Sequence, residues 1–75
     1  MFLTFATALD HALWRSRLDQ NAFAESADVA TSSVSRWRSG KGKPGLDELL
    51  RSCAALPELQ SWFNEKVESI RKANA

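Results

Sequence analysis

The stretch that decides the fold is QNAFAESADVATSSVSRWRSGKGKP, which occupies residues 20–44. Its pattern predicts a short helix over Gln20–Ala27, with Asp19 as N-cap because a carboxylate can accept from the free amides of the first turn. A tight turn at residues 28–30 separates it from a second short helix over residues 31–39. The positions predicted to face inward are Phe23, Ala24, Ala27, Val29, Val34 and Trp37.

One buried side and one short, hydroxyl-rich helix left free are typical of a helix-turn-helix, in which the second helix enters a DNA groove. Residues 29–45 carry four cations and no acid, whereas residues 1–28 have a net charge of −2 and residues 46–75 of −1. A solvated surface loop could carry the same cations. Their position directly after the two helices favours phosphate binding. The cations are Arg36, Arg38, Lys41 and Lys43.

Size and composition predict one small domain in residues 1–75, with a net charge of only +1. The single cysteine excludes an internal disulfide, and one cysteine with one histidine makes a zinc site improbable. No apolar run could span a bilayer, and Asp10 and His11 interrupt the apolar N-terminal stretch, so no signal peptide is expected. No carboxylate pair or nucleophile–base arrangement indicates an enzyme. We expect a cytoplasmic protein without cofactor, metal, membrane contact or small-molecule ligand.

The predicted fold class is all-α with five helices, since no sustained alternation indicates a strand. The first helix is expected over residues 4–17. Gly40 ends the third helix, and Gly45 serves as a modest N-cap for the fourth, over residues 46–55. The apolar side of the fourth helix is predicted to be Leu46, Leu49, Leu50, Cys53 and Leu56, with Cys53 as a small core residue.

The fifth helix is expected over residues 57–72, with Pro57 in its first turn. Its apolar side chains recur at steps of three and four residues. Two large aromatic residues in one terminal helix allow two interpretations, which are core packing against the first helix and a homodimer interface. The residues assigned to that interface are Leu59, Trp62, Phe63, Val67 and Ile70.

Residues 18–56 together resemble the lambda-repressor and Cro-like helix-turn-helix family. The resemblance covers half the chain and includes Gln20 at the start of helix two, the small Ala24, the core pair Val34 and Trp37, the S-G-K-x-K-P loop and the leucine-rich fourth helix. It implies a five-helix lambda-repressor-like domain whose C-terminal helix contributes to dimerisation. It also implies a sequence-specific transcriptional regulator, a repressor or autoregulator of phage or mobile-element type, that binds a palindromic operator in double-stranded DNA as a homodimer.

The same resemblance implies roles for individual residues. Base edges would be read by Thr31, Ser32, Ser35 and Arg36, with Arg36 contributing most because a guanidinium can hold guanine O6 and N7 with two hydrogen bonds. Phosphates would be contacted by Gln20, Asn21, Ser33, Arg38, Lys41 and Lys43. The alternative function is that of a DNA-binding antitoxin or adaptor whose main role is to hold another protein.

The chain departs from the family pattern at two positions. Asp28 stands where the turn usually has glycine, and aspartate tolerates the left-handed conformation better than most residues. Ala30 stands where a serine usually caps helix three, so Thr31 or Ser32 is expected to cap it instead. If Thr31 caps the helix, its role in reading bases is weakened.

Overall fold

The computed structural model describes residues 4–74, and within that range the chain is all-α with five helices and no strand. The predicted bounds were right to within two residues at every helix end. The fifth helix is the longest and continues beyond its predicted end. The helices are α1 (Phe5–Ser16), α2 (Gln20–Ala27), α3 (Thr31–Arg38), α4 (Leu46–Ala55) and α5 (Pro57–Asn74).

Side-chain caps begin the first two helices. Thr4 Oγ1 accepts from the Thr7 amide of α1 at 3.2 Å, and Asp19 Oδ1 accepts from the Ala22 amide of α2 at 2.7 Å. The predicted capping role of Asp19 is therefore confirmed. Helix α1 ends at Arg17, whose left-handed backbone (φ 53°) turns the chain toward α2.

The link between α2 and α3 is as tight as the sequence predicted. Asp28 has a left-handed backbone (φ 56°, ψ 49°), and the Val29 amide donates to the Ala24 carbonyl at 2.9 Å. The expected cap of α3 was wrong. Ala30 is the N-cap residue and provides no side-chain hydrogen bond, while Thr31 and Ser32 lie inside the helix, where their hydroxyls are not in the capping position.

The core forms where α1, α2, α3 and the α4–α5 corner meet. All six residues of α2, the turn and α3 that were predicted to face inward are buried or packed against the core. Phe5 of α1 makes edge-on contacts with Trp37 and Trp62, each at 5.8 Å between ring centroids. The buried apolar residues are Ala8, Leu9, Ala12, Leu13, Phe23, Ala24, Ala27, Val34, Trp37, Cys53, Leu56 and Leu59.

The predicted apolar side of α4 was wrong at two positions. Leu46 is 73% exposed and Leu50 is 53% exposed, because the helix presents Ser52 and Cys53 to the core instead. Ser52 is accommodated there because its hydroxyl donates to the Glu48 carbonyl at 2.8 Å. The α4 helix begins as predicted at Gly45, whose amide donates to Glu48 Oε1 at 3.0 Å.

Helix α5 packs through its first eleven residues, the last of which, Val67, is half-buried. Leu59 is 0% exposed, so its assignment to a dimer interface was wrong: this side chain has no surface left to offer a partner. Trp62 and Phe63 are half-buried and pack against the core. Residues 68–74 are exposed, and Ile70 among them is 59% exposed. No helix within residues 4–74 is long and apolar enough to cross a membrane.

Candidate nucleic-acid interface

Helix α3 separates its buried and exposed residues cleanly. Val34 and Trp37 are buried, and at about 100° per residue they lie on the side opposite the arc formed by residues 31, 32, 35 and 36. The four residues predicted to read bases are all exposed and span one continuous arc of the helix surface. That set is Thr31, Ser32, Ser35 and Arg36.

Arg36 lies against the loop that follows α3. A Cβ added at Gly42 would be 3.5 Å from Arg36 Nη2 and 3.6 Å from Nε, so the guanidinium passes beside the backbone at Gly42. The Arg36 carbonyl also accepts from the Lys41 amide and the Ser39 hydroxyl, each at 3.0 Å. The structure thus brings Arg36 close to the loop that carries Lys41 and Lys43.

Three cations of this region carry no ion pair. Within residues 4–74, the salt bridges engage neither Arg36, Lys41 nor Lys43, and both lysines are exposed. A cation without an acidic partner gives its full charge to an approaching polyanion. The exposed arc of α3 and this unpaired basic loop together form the candidate site.

Arg38 differs from the other three cations because it is already held. Its Nε donates to Asp10 Oδ1 of α1 at 3.1 Å, its Nη2 donates to the same oxygen, and its Nη1 donates to Gln20 Oε1 at 3.2 Å. Gln20 Nε2 in turn donates to the Thr31 carbonyl at 3.3 Å. This polar chain connects α1, the start of α2 and both ends of α3.

The predicted phosphate-binding residues therefore differ in whether their side chains are already held by hydrogen bonds to other parts of the chain. Gln20 and Arg38 are hydrogen-bonded to each other and lie beside an acidic group, so they hold α3 in position in the isolated chain. Asn21 is exposed at the start of α2, and Ser33 is half-buried. The contribution of Asp10 was not predicted, because a contact between residues 28 positions apart leaves no local periodicity in the sequence.

Trp14 was also missed by the sequence reasoning. It is 76% exposed on α1, and its ring centroid lies 6.2 Å from that of His11. Both rings line an open groove between α1 and α3 that also includes Gln20, Ser35 and Arg38. An exposed tryptophan beside the candidate site was predictable from its position on α1, about half a turn away from the buried stripe.

The described residues offer little for other chemistry. No group of three or more His, Cys, Asp or Glu side chains within residues 4–74 could hold a metal ion. Cys53 is buried, and burial raises the pKa of its thiol, which keeps the unreactive protonated form dominant at neutral pH. Comparison of the chain with known protein families, curated proteins and solved structures finds no match.

Proposed function

We propose that this protein is a sequence-specific DNA-binding regulator of transcription, of the lambda-repressor and Cro-like helix-turn-helix type. In this proposal α2 and α3 are the helix-turn-helix, and α3 enters the major groove. The observation that carries the proposal is the exposed arc of α3, which is seated on buried Val34 and Trp37 and followed by unpaired Lys41 and Lys43. Its position next to unpaired cations fits a polyanion better than it fits a small substrate.

Arg36 is the main reader of sequence in this mechanism. Its two-pronged hydrogen bonding to guanine O6 and N7 would contribute roughly 1–3 kcal/mol of discrimination. Thr31, Ser32 and Ser35 have short side chains, so they read through single hydrogen bonds, a methyl contact or water. Lys41 and Lys43 bind phosphate and supply affinity that does not depend on sequence.

A homodimer would compensate for the weak discrimination of one such helix. Two copies of α3 about 34 Å apart would enter successive major grooves of a palindromic operator. The C-terminal part of α5 supports this proposal, because residues 68–74 are exposed and include Ile70, a large apolar side chain that is 59% exposed. In this proposal the protein is a repressor or autoregulator of phage or mobile-element type.

The deciding experiment is selection of bound duplexes from a random pool, followed by competition binding with two variants. Arg36→Ala should bind the selected operator and random DNA with nearly equal affinity. Arg15→Ala is the matched control, since Arg15 is a 58% exposed arginine on α1 whose side chain pairs with Glu58 at 3.2 Å. Retained preference in Arg36→Ala, or failure to enrich any sequence, would contradict the proposal.

One observation favours a protein partner as the second candidate. Trp14 is exposed in an open groove, and tryptophan is a frequent anchor of protein–protein interfaces. An antitoxin or adaptor using this groove would bind its partner equally well with Arg36→Ala and would lose binding with Trp14→Ala.

A further inference from the structure

The exposed arc of α3 has two flanks, and different parts of the chain lie beside them. At about 100° per residue, Arg36 and Arg38 are about 160° apart around the helix, and Ser35 lies between them. The loop that carries Lys41 and Lys43 lies beside Arg36. The phosphate contacts proposed for this loop therefore belong to only one of the two flanks.

The flank beside Arg38 is formed by α1. Arg38 donates two hydrogen bonds to Asp10, and Trp14 follows Asp10 by four residues, so both lie on the side of α1 that faces α3. Trp14 is 76% exposed and shares an open groove with Ser35 and Arg38. The indole is therefore continuous with the face of α3 that is proposed to read DNA.

The free charge on this second flank is positive. Arg17, the residue that ends α1, is exposed and lines the groove beside Trp14. None of the salt bridges within residues 4–74 engages Arg17. The two acids that line the same groove are already engaged, since Asp10 pairs with an arginine of α3 and Asp19 caps α2. Arg17 is thus a cation that can give its full charge to a polyanion.

An exposed indole beside a free guanidinium suits a DNA backbone chemically. The apolar face of an indole can pack against deoxyribose, and its Nε1–H can donate to a phosphate. A guanidinium can hold phosphate with two hydrogen bonds. The major groove is about 12 Å wide and a helix with its side chains is about 10–12 Å across, so a helix in the groove brings both of its flanks close to the backbone strands.

We propose that Trp14 and Arg17 form a second backbone contact of the DNA interface, on the strand opposite the one bound by Lys41 and Lys43. The indole packs against deoxyribose and Arg17 binds phosphate. Because this contact belongs to the same interface, it rests on the proposed function, and it adds affinity that does not depend on sequence. A DNA backbone is favoured over a protein partner because the groove continues into the reading arc of α3 and its free charge is positive.

The charge is tested by fluorescence anisotropy titrations of the full chain with the selected operator duplex and with a random duplex, at several salt concentrations. Arg17→Gln should weaken binding to both duplexes by the same factor and reduce the salt dependence by about one phosphate contact per bound copy. Arg15→Gln is the matched control, because Arg15 lies two residues earlier on α1 but is paired with Glu58 at 3.2 Å. It should keep the salt dependence of the wild type.

The indole is tested in the same titrations. Trp14→Ala should weaken binding to both duplexes about three- to tenfold without changing the ratio of the two affinities. Trp14→Phe keeps an aromatic ring but has no N–H donor, so it should recover part of the loss. Leu50→Ala, which truncates a 53% exposed apolar side chain on α4, should bind as the wild type does.

The outcomes separate this contact from the proposed function. If the wild type prefers its operator and both Trp14→Ala and Arg17→Gln bind as the wild type does, the contact is overturned, the proposed function stands, and the indole is left for a protein partner. A changed ratio between operator and random DNA would also overturn the backbone role, since it would mean that these residues read bases. A wild type that binds neither duplex would overturn both the contact and the proposed function.

Discussion

Asp28 occupies the tight turn between α2 and α3, where its left-handed backbone conformation is unfavourable in free energy. Its φ of 56° is left-handed, a conformation that costs an ordinary L-residue roughly 1–2 kcal/mol and aspartate less. Its carboxylate is 93% exposed and lies 3.6 Å from Arg51 of α4. Such an exposed ion pair contributes at most about 1 kcal/mol, so the backbone conformation dominates the energetics at this position.

Replacement of Asp28 should therefore separate the conformational term from the electrostatic one. Both Asp28→Gly and Asp28→Ala lose the ion pair, but only alanine keeps the left-handed penalty. We expect Asp28→Ala to be less stable than Asp28→Gly by about 1 kcal/mol, measured by urea unfolding. Asp47→Ala removes the other ion pair of Arg51 at a helical position and controls for the charge. Equal stability of the glycine and alanine variants would contradict this account.

Cys53 makes stability depend on pH in the alkaline range. Burial raises the pKa of the folded thiol, so above about pH 8.5 the unfolded chain loses a proton that the folded chain keeps. The contribution of the buried thiol to the free energy of unfolding is fully present below that pH and is lost as the pH rises. Cys53→Ala should lower the free energy of unfolding by about 1 kcal/mol at pH 7, and the difference from wild type should narrow at pH 10. A constant difference in urea unfolding between the two pH values would show that the thiol is not responsible.

At the scale of helices, the contact between Asp10 and Arg38 connects α1 to α3. Both side chains are partly exposed, so Asp10→Asn should cost less than about 1 kcal/mol of stability. The same change removes a negative charge beside the proposed DNA face and releases Arg38. On the proposed function, affinity for all DNA should rise about three- to tenfold, and the salt dependence should steepen by up to about one phosphate contact.

The control for this change is Glu65→Gln, which removes an exposed acid from α5. It should leave binding nearly unchanged in fluorescence anisotropy titrations at several salt concentrations, since charges beyond a Debye length are screened. Weaker binding by Asp10→Asn would instead mean that Asp10 is needed to orient α3, and that Arg38 contributes by position alone.

The ends of the helices were predictable from sequence where a single residue determines them. Asp19, Asp28 and Gly40 specify a cap, a left-handed turn and a helix end, and each acts over a few residues. The side of α4 that meets the core was not predictable in this way. Leu46 and Leu50 fit the apolar period of the helix, but the tertiary packing leaves both exposed and buries Ser52 beside Cys53.

The candidate site likewise contains some features that were predictable from local sequence and others that were not. The exposed arc of α3 follows from helical spacing once Val34 and Trp37 are known to be buried. The link from Asp10 to Arg38 required the tertiary structure, because the two residues are 28 positions apart in the chain. The sequence therefore predicted which polar and basic side chains the candidate site contains, but it did not predict which side chain each of them contacts.

At the scale of the whole molecule, the C-terminal end of α5 extends beyond the core that the helices share. The molecule measures 40 × 22 × 19 Å, and an 18-residue helix spans about 27 Å. Residues 68–74 are exposed, and a short helical segment gains little from its own hydrogen bonds in water. Packing against a second copy would stabilise this extension, which is the physical basis for the proposed homodimer.

Ile70→Glu is the substitution that tests the homodimer most directly. Ile70 is 59% exposed, so the change spares the core, whereas Phe63→Glu would also disturb a half-buried side chain. Sedimentation equilibrium should show a dimer for wild type and a monomer for Ile70→Glu, because a carboxylate in an apolar interface is left unpaired. Leu50→Glu, at a 53% exposed position on α4, is the matched control and should remain dimeric. Monomers from Leu50→Glu and dimers from Ile70→Glu would move the interface to α4, and a monomeric wild type would leave the two-site operator without a basis.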